Sequence, residues 1–409
     1  MTFRNYDPER DRPAVHRIWK EVGWGEHSSD EDRERFIECG RGMVAELNGE
    51  AECHVCTCPG TIRYLEEDLP FSCVTGVTTS RIARKQGFAK RLLAQLLAVD
   101  AAEGALVAGL GMFEQGFYNQ LGFGTGSYEH WVSFDPARLN VSVTPRVPRR
   151  IAVDDWEAAH AARLARIRGH GNCSLTPAGI TRAEMHEGEK TFGLGYFDGP
   201  AGTLTHCVWC GVRGGEHGPY QVHWMAYQTR DQFLELMALI RSLGDQVRLI
   251  QMCEPPGLQL QDLIDRPFQQ IIATENSKYE SKIEAHAYWQ MRILDLPGCL
   301  ARTRLRGGEL RLNLRLTDPI ESLLDEDAPW RGVGEEYIVM FGDPSSAERG
   351  TDPTLATLAT TVNAFTRLWL GVRSATSLAV TDELSGPEDL LQELDWVLRL
   401  PQPHPDWGF

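Results

Sequence analysis

The residues best suited to chemistry lie in "VTGVTTSRIARKQGFAKRLLAQLL", Val74 to Leu97, where a β-branched run meets a helical stripe. Between the two, Arg81, Arg84 and Lys85 put positive charge beside Gly87. The whole chain carries 57 acidic residues against 41 basic ones, a net charge of −16, so a cationic loop stands out against its background. The first N–H groups of a helix have no intrahelical partner, and the macrodipole makes that end positive. A glycine there lets the main chain approach a ligand closely. Together these features predict a site for a phosphate or pyrophosphate.

A second group of reactive side chains sits in "AECHVCTCPG", where Cys53, Cys56 and Cys58 lie near His54. Strand alternation puts His54, Cys56 and Cys58 on one face. A structural zinc site draws four ligands from paired knuckles, and no second knuckle follows, so the expectation is core thiols and no metal.

At 409 residues the chain is long enough for two or three domains. A hydrophobic content of 42% with 24% charged residues is that of a soluble globular protein. "MTFRNYDPERDRPAVHR" has no apolar leader segment, and no apolar run approaches the ~20 residues that cross a bilayer, so a cytoplasmic protein with no membrane insertion is expected. Ten scattered cysteines fit reduced thiols rather than a disulfide scaffold. The acidic balance argues against a nucleic-acid partner and for small cationic molecules.

Three segments follow from the patterning. The first, 1–142, reads as a strand, a helix capped by Asp7 or Asp11, strands at "GMVAELNG", "AECHVCTC" and "PFSCVTGVTT", and a helix from Gly87 with Ala89, Leu92, Leu93, Leu96 and Leu97 on one stripe. Then come a buried strand "GALVAGLGM", a short helix and turn "QGFYNQLGFGTG", and "YEHWVSF". The Pro-rich joint "VTPRVPRR" closes it. The second segment, 150–284, repeats the α/β order, but its helix entry "AYQTRDQF" lacks the glycine and the basic cluster. The third, 287–409, starts at "YWQMRILDLPGCLARTRL" and alternates strands with amphipathic helices, "TLATLATTVNAFTRLWLG" being read as helical. It ends in the proline-stiffened "PQPHPDWGF".

The spacing Arg84-x-x-Gly87-x-Ala89 in "RKQGFAK" resembles the acetyl-CoA loop of the Gcn5-related N-acetyltransferases, and "GMFEQGFYNQLGFGTG" resembles the stretch after their fifth strand. One competent copy, a degenerate second copy and a C-terminal domain similar to sterol carrier proteins resemble the Eis (enhanced intracellular survival) acetyltransferases over the full chain. That likeness implies an α+β fold of two tandem acetyltransferase domains plus a sterol-carrier-like domain. It implies acetyl-CoA held by Val77, Thr78, Thr79, Arg84, Lys85, Gln86, Gly87, Phe88, Ala89, Lys90, Phe113 and Glu114, with main-chain groups of Val77 and Thr79 against the pantetheine arm. It implies Tyr118 as the acid for the departing thiolate, a phenol being protonated at neutral pH. The α-carboxylate of Phe409 is implied as the base for the attacking amine. The implied acceptor is a primary amine of a cationic molecule (aminoglycoside, polyamine or lysine side chain), attacking directly in a ternary complex. A homo-hexamer is implied as well, with strands such as "TLTHCVWC" supplying apolar surface. The alternative is a lipid- or sterol-binding or scaffold protein acting through the C-terminal domain.

Overall fold

The computed structural model describes residues 2–24, 29–188 and 190–408. The first segment runs β1 (Thr2–Asn5), α1 (Pro8–Glu21), α2 (Asp30–Glu38), β2 (Arg41–Leu47), β3 (Glu50–Tyr64), β4 (Glu67–Thr79), α3 (Phe88–Ala102), β5 (Val107–Gly111), α4 (Gln115–Asn119), β6 (Gly124–Thr125) and β7 (Glu129–Phe134). Of the two candidate caps, Asp7 starts α1 by accepting from the Glu9 N–H at 3.0 Å, whereas Asp11 pairs with Arg4 at 2.6 Å. The stripe on α3 packs as its spacing requires: Leu92, Leu93, Leu96 and Leu97 are all fully buried against the sheet.

The second segment contains β8 (Arg149–Ile151), α5 (Trp156–Ala165), β9 (Cys173–Leu175), α6 (Ala178–His186), β10 (Thr191–Asp198), β11 (Thr203–Gly215), β12 (Gly218–Ala226), α7 (Arg230–Ser242), β13 (Ile250–Cys253), α8 (Pro267–Thr274) and β14 (Lys282–His286). The third contains β15 (Trp289–Ile293), α9 (Leu296–Ala301), β16 (Leu310–Thr317), β17 (Glu335–Phe341), β18 (Ser346–Arg349), β19 (Thr357–Thr361), α10 (Val362–Trp369), α11 (Ala375–Thr381), β20 (Leu384–Ser385) and α12 (Glu388–Val397).

Three mixed sheets result, and the first two exchange strands. The eight-stranded sheet has the order β1-β2-β3-β4-β5-β15-β6, with β9 added alongside β3. The seven-stranded sheet has the order β14-β7-β13-β12-β11-β10-β8, and the five-stranded sheet β18-β17-β16-β19-β20. So "YEHWVSF", read with the first segment, pairs with β13 and β14 of the second sheet, and "YWQMRI", read as opening the third, pairs with β5 of the first. For β15 the buried polar groups account for the placement. Arg292 is fully buried; it bonds Asp318 at 2.7 Å and the Leu121 carbonyl, while Asp318 also accepts from Val333 N at 3.0 Å. A buried guanidinium is tolerated only with such partners, and they exist only at this position in the sheet.

Two further expectations are corrected. "TLATT" in the stretch read as helical is β19, parallel to β16, because Leu358 and Thr360 alternate inward; the helix begins only where Thr361 caps it. "TLTHCVWC" offers no exposed apolar surface, since β11 lies between β10 and β12 and is buried from His206 to Gly211.

Candidate active site

β4 and β5 run parallel and pair from Phe71↔Val107 to Val74↔Leu110. Beyond that point they separate. From Gly76 to Thr79 β4 pairs with β3 alone, which leaves the other edge of its backbone without a strand partner among the described residues. Val77 and Thr79 therefore carry main-chain groups on an open edge, an arrangement suited to an extended, amide-containing ligand. Their side chains are otherwise engaged: Val77 packs on the core, Thr79 Oγ1 lies 3.3 Å from Cys53 Sγ, and Thr78 Oγ1 bonds the His54 carbonyl at 3.4 Å.

The loop after β4 ends at Gly87, which adopts φ +77° and starts α3 with no side-chain cap. Lys85 is also left-handed, at φ +62°. Successive left- and right-handed residues turn neighbouring N–H groups to one side, the geometry of an anion nest. Arg84, Lys85 and Gln86 are exposed, and neither Arg84 nor Lys85 meets a carboxylate among the described residues. Gln86 braces the loop by donating to the Ile82 carbonyl at 3.1 Å. Phe88 is buried against Phe3, so it can present only its main-chain N–H. Ala89 is half-buried at the same turn, and Lys90 Nζ reaches Gln120 at 2.8 Å, tying α3 to the end of α4.

Tyr118 sits on α4, across from α3. Its ring is buried among Phe113, Phe117 and Phe123, and its hydroxyl makes no hydrogen bond among the described residues. Burial pushes the phenol above its ordinary pKa, so it holds its proton. Phe113 is exposed on the approach to it. Glu114 serves the local fold, because its carboxylate caps α4, accepting from Gly116 N at 3.2 Å and Phe117 N at 2.8 Å.

On the far side of Gly111 lies a cavity of about 280 Å³ between the first two sheets, lined by Tyr288, Trp289, Trp131, Glu129, Trp224 and the tail from His404 to Gly408. The tail is firmly held. Pro405 O accepts from Cys173 N at 2.7 Å, His404 O from Asn172 Nδ2 at 2.7 Å, and Asp406 from Arg166 Nε at 2.7 Å. Trp407 is buried, donates to Glu184 at 3.0 Å, and lies under the Arg163 guanidinium, 3.7 Å from the ring centre. Phe409, the expected base, lies outside the described residues.

The thiols of "AECHVCTC" are core groups: burial pushes Cys53 and Cys56 up to about 12, and Cys53 and Cys58 pack in different hydrophobic clusters. Among the described residues, the one group spaced as metal ligands is Glu129, Cys253 and His404, beside the tail.

Residues 3–126, which contain the splayed strands, the glycine loop and Tyr118, match the family model "Acetyltransferase (GNAT) domain". The chain carries an acetyltransferase domain. Its full length is similar in fold to a probable N-acyltransferase from Enterococcus faecalis (TM-score 0.79, 16% identity, covering 100% of this chain and 99% of that one). It is similar likewise to a GCN5-related N-acetyltransferase from Kribbella flavida (0.72, 18%, 100% and 98%) and to Eis1 from Mycobacterium abscessus (0.75, 16%, 100% and 100%). A search of curated protein sequences returns no match.

Around the acetyltransferase domain the fold brings together the loop from Arg84 to Lys90, the open edge at Val77 to Thr79, and Tyr118. Sequence reasoning missed the residues contributed from elsewhere: Glu129, Arg166, His404 and Asp406 at the cavity, and Arg292 behind the Leu121 turn. Only Glu129 left a signal, since Glu129 and Trp131 share one face of a period-2 strand.

Proposed function

We propose that this protein is an N-acetyltransferase of the Eis kind, moving acetyl from acetyl-CoA to a primary amine of a cationic acceptor by direct attack in a ternary complex. The observation that carries this reading is the separation of β4 from β5 beside an uncapped, glycine-initiated helix. The open β4 edge suits the pantetheine amides, and the α3 N-terminus with Arg84 and Lys85 suits the pyrophosphate. Attack of the neutral amine on the thioester carbonyl forms the C–N bond and expels the thiolate, to which Tyr118 gives its proton.

The base is the α-carboxylate of Phe409, with an unperturbed pKa near 3.3–3.7 and hence ionised. The anchoring of the tail through Gly408, which lines the cavity, supports this assignment. An assay of acetyl transfer over a panel of amines tests the reaction; no transfer to any amine would overturn it. Residues added after Phe409, or deletion of Phe409, would displace the charge and cost most of the turnover, whereas an N-terminal tag would not. Full activity in a C-terminally extended protein, its extension confirmed by mass spectrometry, would remove Phe409 from the mechanism.

The segments 1–142, 150–284 and 287–409 are on this reading a competent copy, a degenerate copy and a sterol-carrier-like scaffold. Lipid carriage is less well supported, because the cavity of about 920 Å³ on the third sheet is lined by Asp318, Glu321, Glu335, Glu336, Asp382 and Glu383. Assembly into a hexamer belongs to the same proposal, and sedimentation at working concentration checks it.

A further inference from the structure

Among the described residues three carboxylates line the cavity beside the tail, and two of them are satisfied within the protein. Asp406 accepts from Arg166 at 2.7 Å, and Glu254 accepts from Leu260 N at 2.6 Å. Among the described residues Glu129 accepts no hydrogen bond, and its nearest basic atom is His404 Nε2 at 3.8 Å, too far to make one. His404 cannot neutralise it either. Burial lowers the pKa of this imidazole, and its Nδ1 accepts from Asp406 N at 2.9 Å, so the ring is neutral with its hydrogen on Nε2. The same tautomer argues against a metal shared by Glu129, Cys253 and His404. Coordination through Nε2 would move the hydrogen to Nδ1, directly against the Asp406 N–H.

An unpaired carboxylate, with its side chain 18% exposed and the Trp131, Tyr288 and Trp407 rings in the same cavity, is suited to a cation. The nitrogen to be acetylated must be neutral when it attacks, and a carboxylate partner favours its protonated form. The base for that nitrogen is the carboxylate at the end of the tail. We propose that Glu129 binds a second ammonium of the acceptor, one that remains charged, so that the preferred acceptor is a small aliphatic diamine. The cavity, at about 280 Å³, lies at the lower end of ligand pockets and fits a compact acceptor. This inference rests on the amine-acetyltransferase reading.

Burial, with the charge of Asp406 adding to it, pushes the Glu129 carboxyl up to about 7. Around it stand His130 on its own strand, His286 directly across on β14, Cys253 and Glu254 on β13 and after it, His404 and Asp406 on the tail, and Arg163 and Arg166 on and after α5, paired with Glu184 and Asp406. Because the charged form appears as pH rises through about 7, diamine binding tightens over that range.

The test compares a four-carbon diamine with the four-carbon monoamine, in wild type, Glu129→Gln and Glu129→Asp, by transfer kinetics and by calorimetric binding of each amine. A charge-assisted hydrogen bond predicts about a tenfold preference of the wild type for the diamine, expressed in KM. Glu129→Gln should bring the ratio close to one and flatten the pH dependence, and Glu129→Asp should restore part of both. Calorimetry with acetyl-CoA, giving equal Kd in all three proteins, shows that the fold is retained. An unchanged ratio in Glu129→Gln, or no diamine preference in wild type, overturns the proposal. So does stoichiometric zinc in the purified wild type that is lost in Glu129→Gln. If no amine is acetylated, the reading of the reaction fails, while the binding measurement still decides the role of Glu129.

Discussion

The first two sheets open in the same way and end differently. In the first, β4 continues to Thr79 past its last pair with β5; in the second, β12 continues to Ala226 past its last pair with β13, Val222↔Met252. The helix after the first opening begins at a left-handed glycine with no side-chain cap. The helix after the second, α7, begins at Thr229 in a reciprocal capping box: Gln232 N donates to Thr229 Oγ1 at 3.2 Å, and Gln232 Oε1 accepts from Thr229 N at 3.2 Å and Gln228 N at 2.7 Å. N–H groups already satisfied by side chains are not available to an anion. The second opening is also lined by Trp224, Met225 and Cys253, with His404 of the tail 3.5 Å from the Cys253 thiol. Parallel strands that separate therefore leave helix N–H groups free for an anion only where the side-chain cap is withheld.

The largest effect should come from giving the first helix a negative entry. Gly87→Glu places a carboxylate where the pyrophosphate is expected, and like charges in contact cost several kcal/mol, a loss of at least a hundredfold in acetyl-CoA affinity. A Cβ at position 87 meets no atom within 4 Å, so the remaining cost is the left-handed backbone, about 1–2 kcal/mol. Gly87→Ala carries that strain without the charge and should keep most of the affinity. Calorimetry on both variants separates the two terms, and equal affinity in wild type and Gly87→Glu would remove the loop from the site.

Tyr118→Phe comes next. The hydroxyl has no partner among the described residues, so removing it orphans nothing, and stability should hold. Acetyl-CoA affinity should hold as well. Turnover should fall by the roughly 10²–10⁴-fold that a positioned general acid contributes. Unchanged turnover would make Tyr118 a packing residue of the aromatic cluster it shares with Phe113 and Phe117.

How much of this was legible in the sequence depended on the range of the interaction. The α3 stripe and the entry at Gly87 are decided by neighbours within a few residues and the pattern alone reveals them, whereas the α1 cap stayed open between Asp7 and Asp11 until Arg4 on β1 claimed Asp11. The placement of β15 in the first sheet rests on Arg292 finding Asp318 and the Leu121 turn, contacts that no local periodicity encodes. The strand at Thr357–Thr361 was hidden because "TLATTVNAFTRL" is apolar at both spacings, and its parallel partner β16 lies some forty residues earlier. For the tail, its three prolines announced stiffness but not a destination, which Arg166, Asn172 and Cys173 supply.

The smallest effect asks which of the two differences closes the second opening. Thr229→Ala removes the side-chain acceptor from Gln232 N and frees one donor at the start of α7. Loss of such a cap costs about 0.5–2 kcal/mol, which thermal unfolding should register as a drop of a few degrees. Uncapping alone leaves Trp224, Met225 and the His404–Cys253 contact in the opening, and α7 still lacks a left-handed glycine and a basic loop. The variant should therefore bind one acetyl-CoA per chain, like the wild type, in calorimetry. Two sites in Thr229→Ala would mean that the capping box by itself keeps the second opening from binding. Two sites already in the wild type would mean that the contrast between the helix entries has no bearing on the cofactor at all.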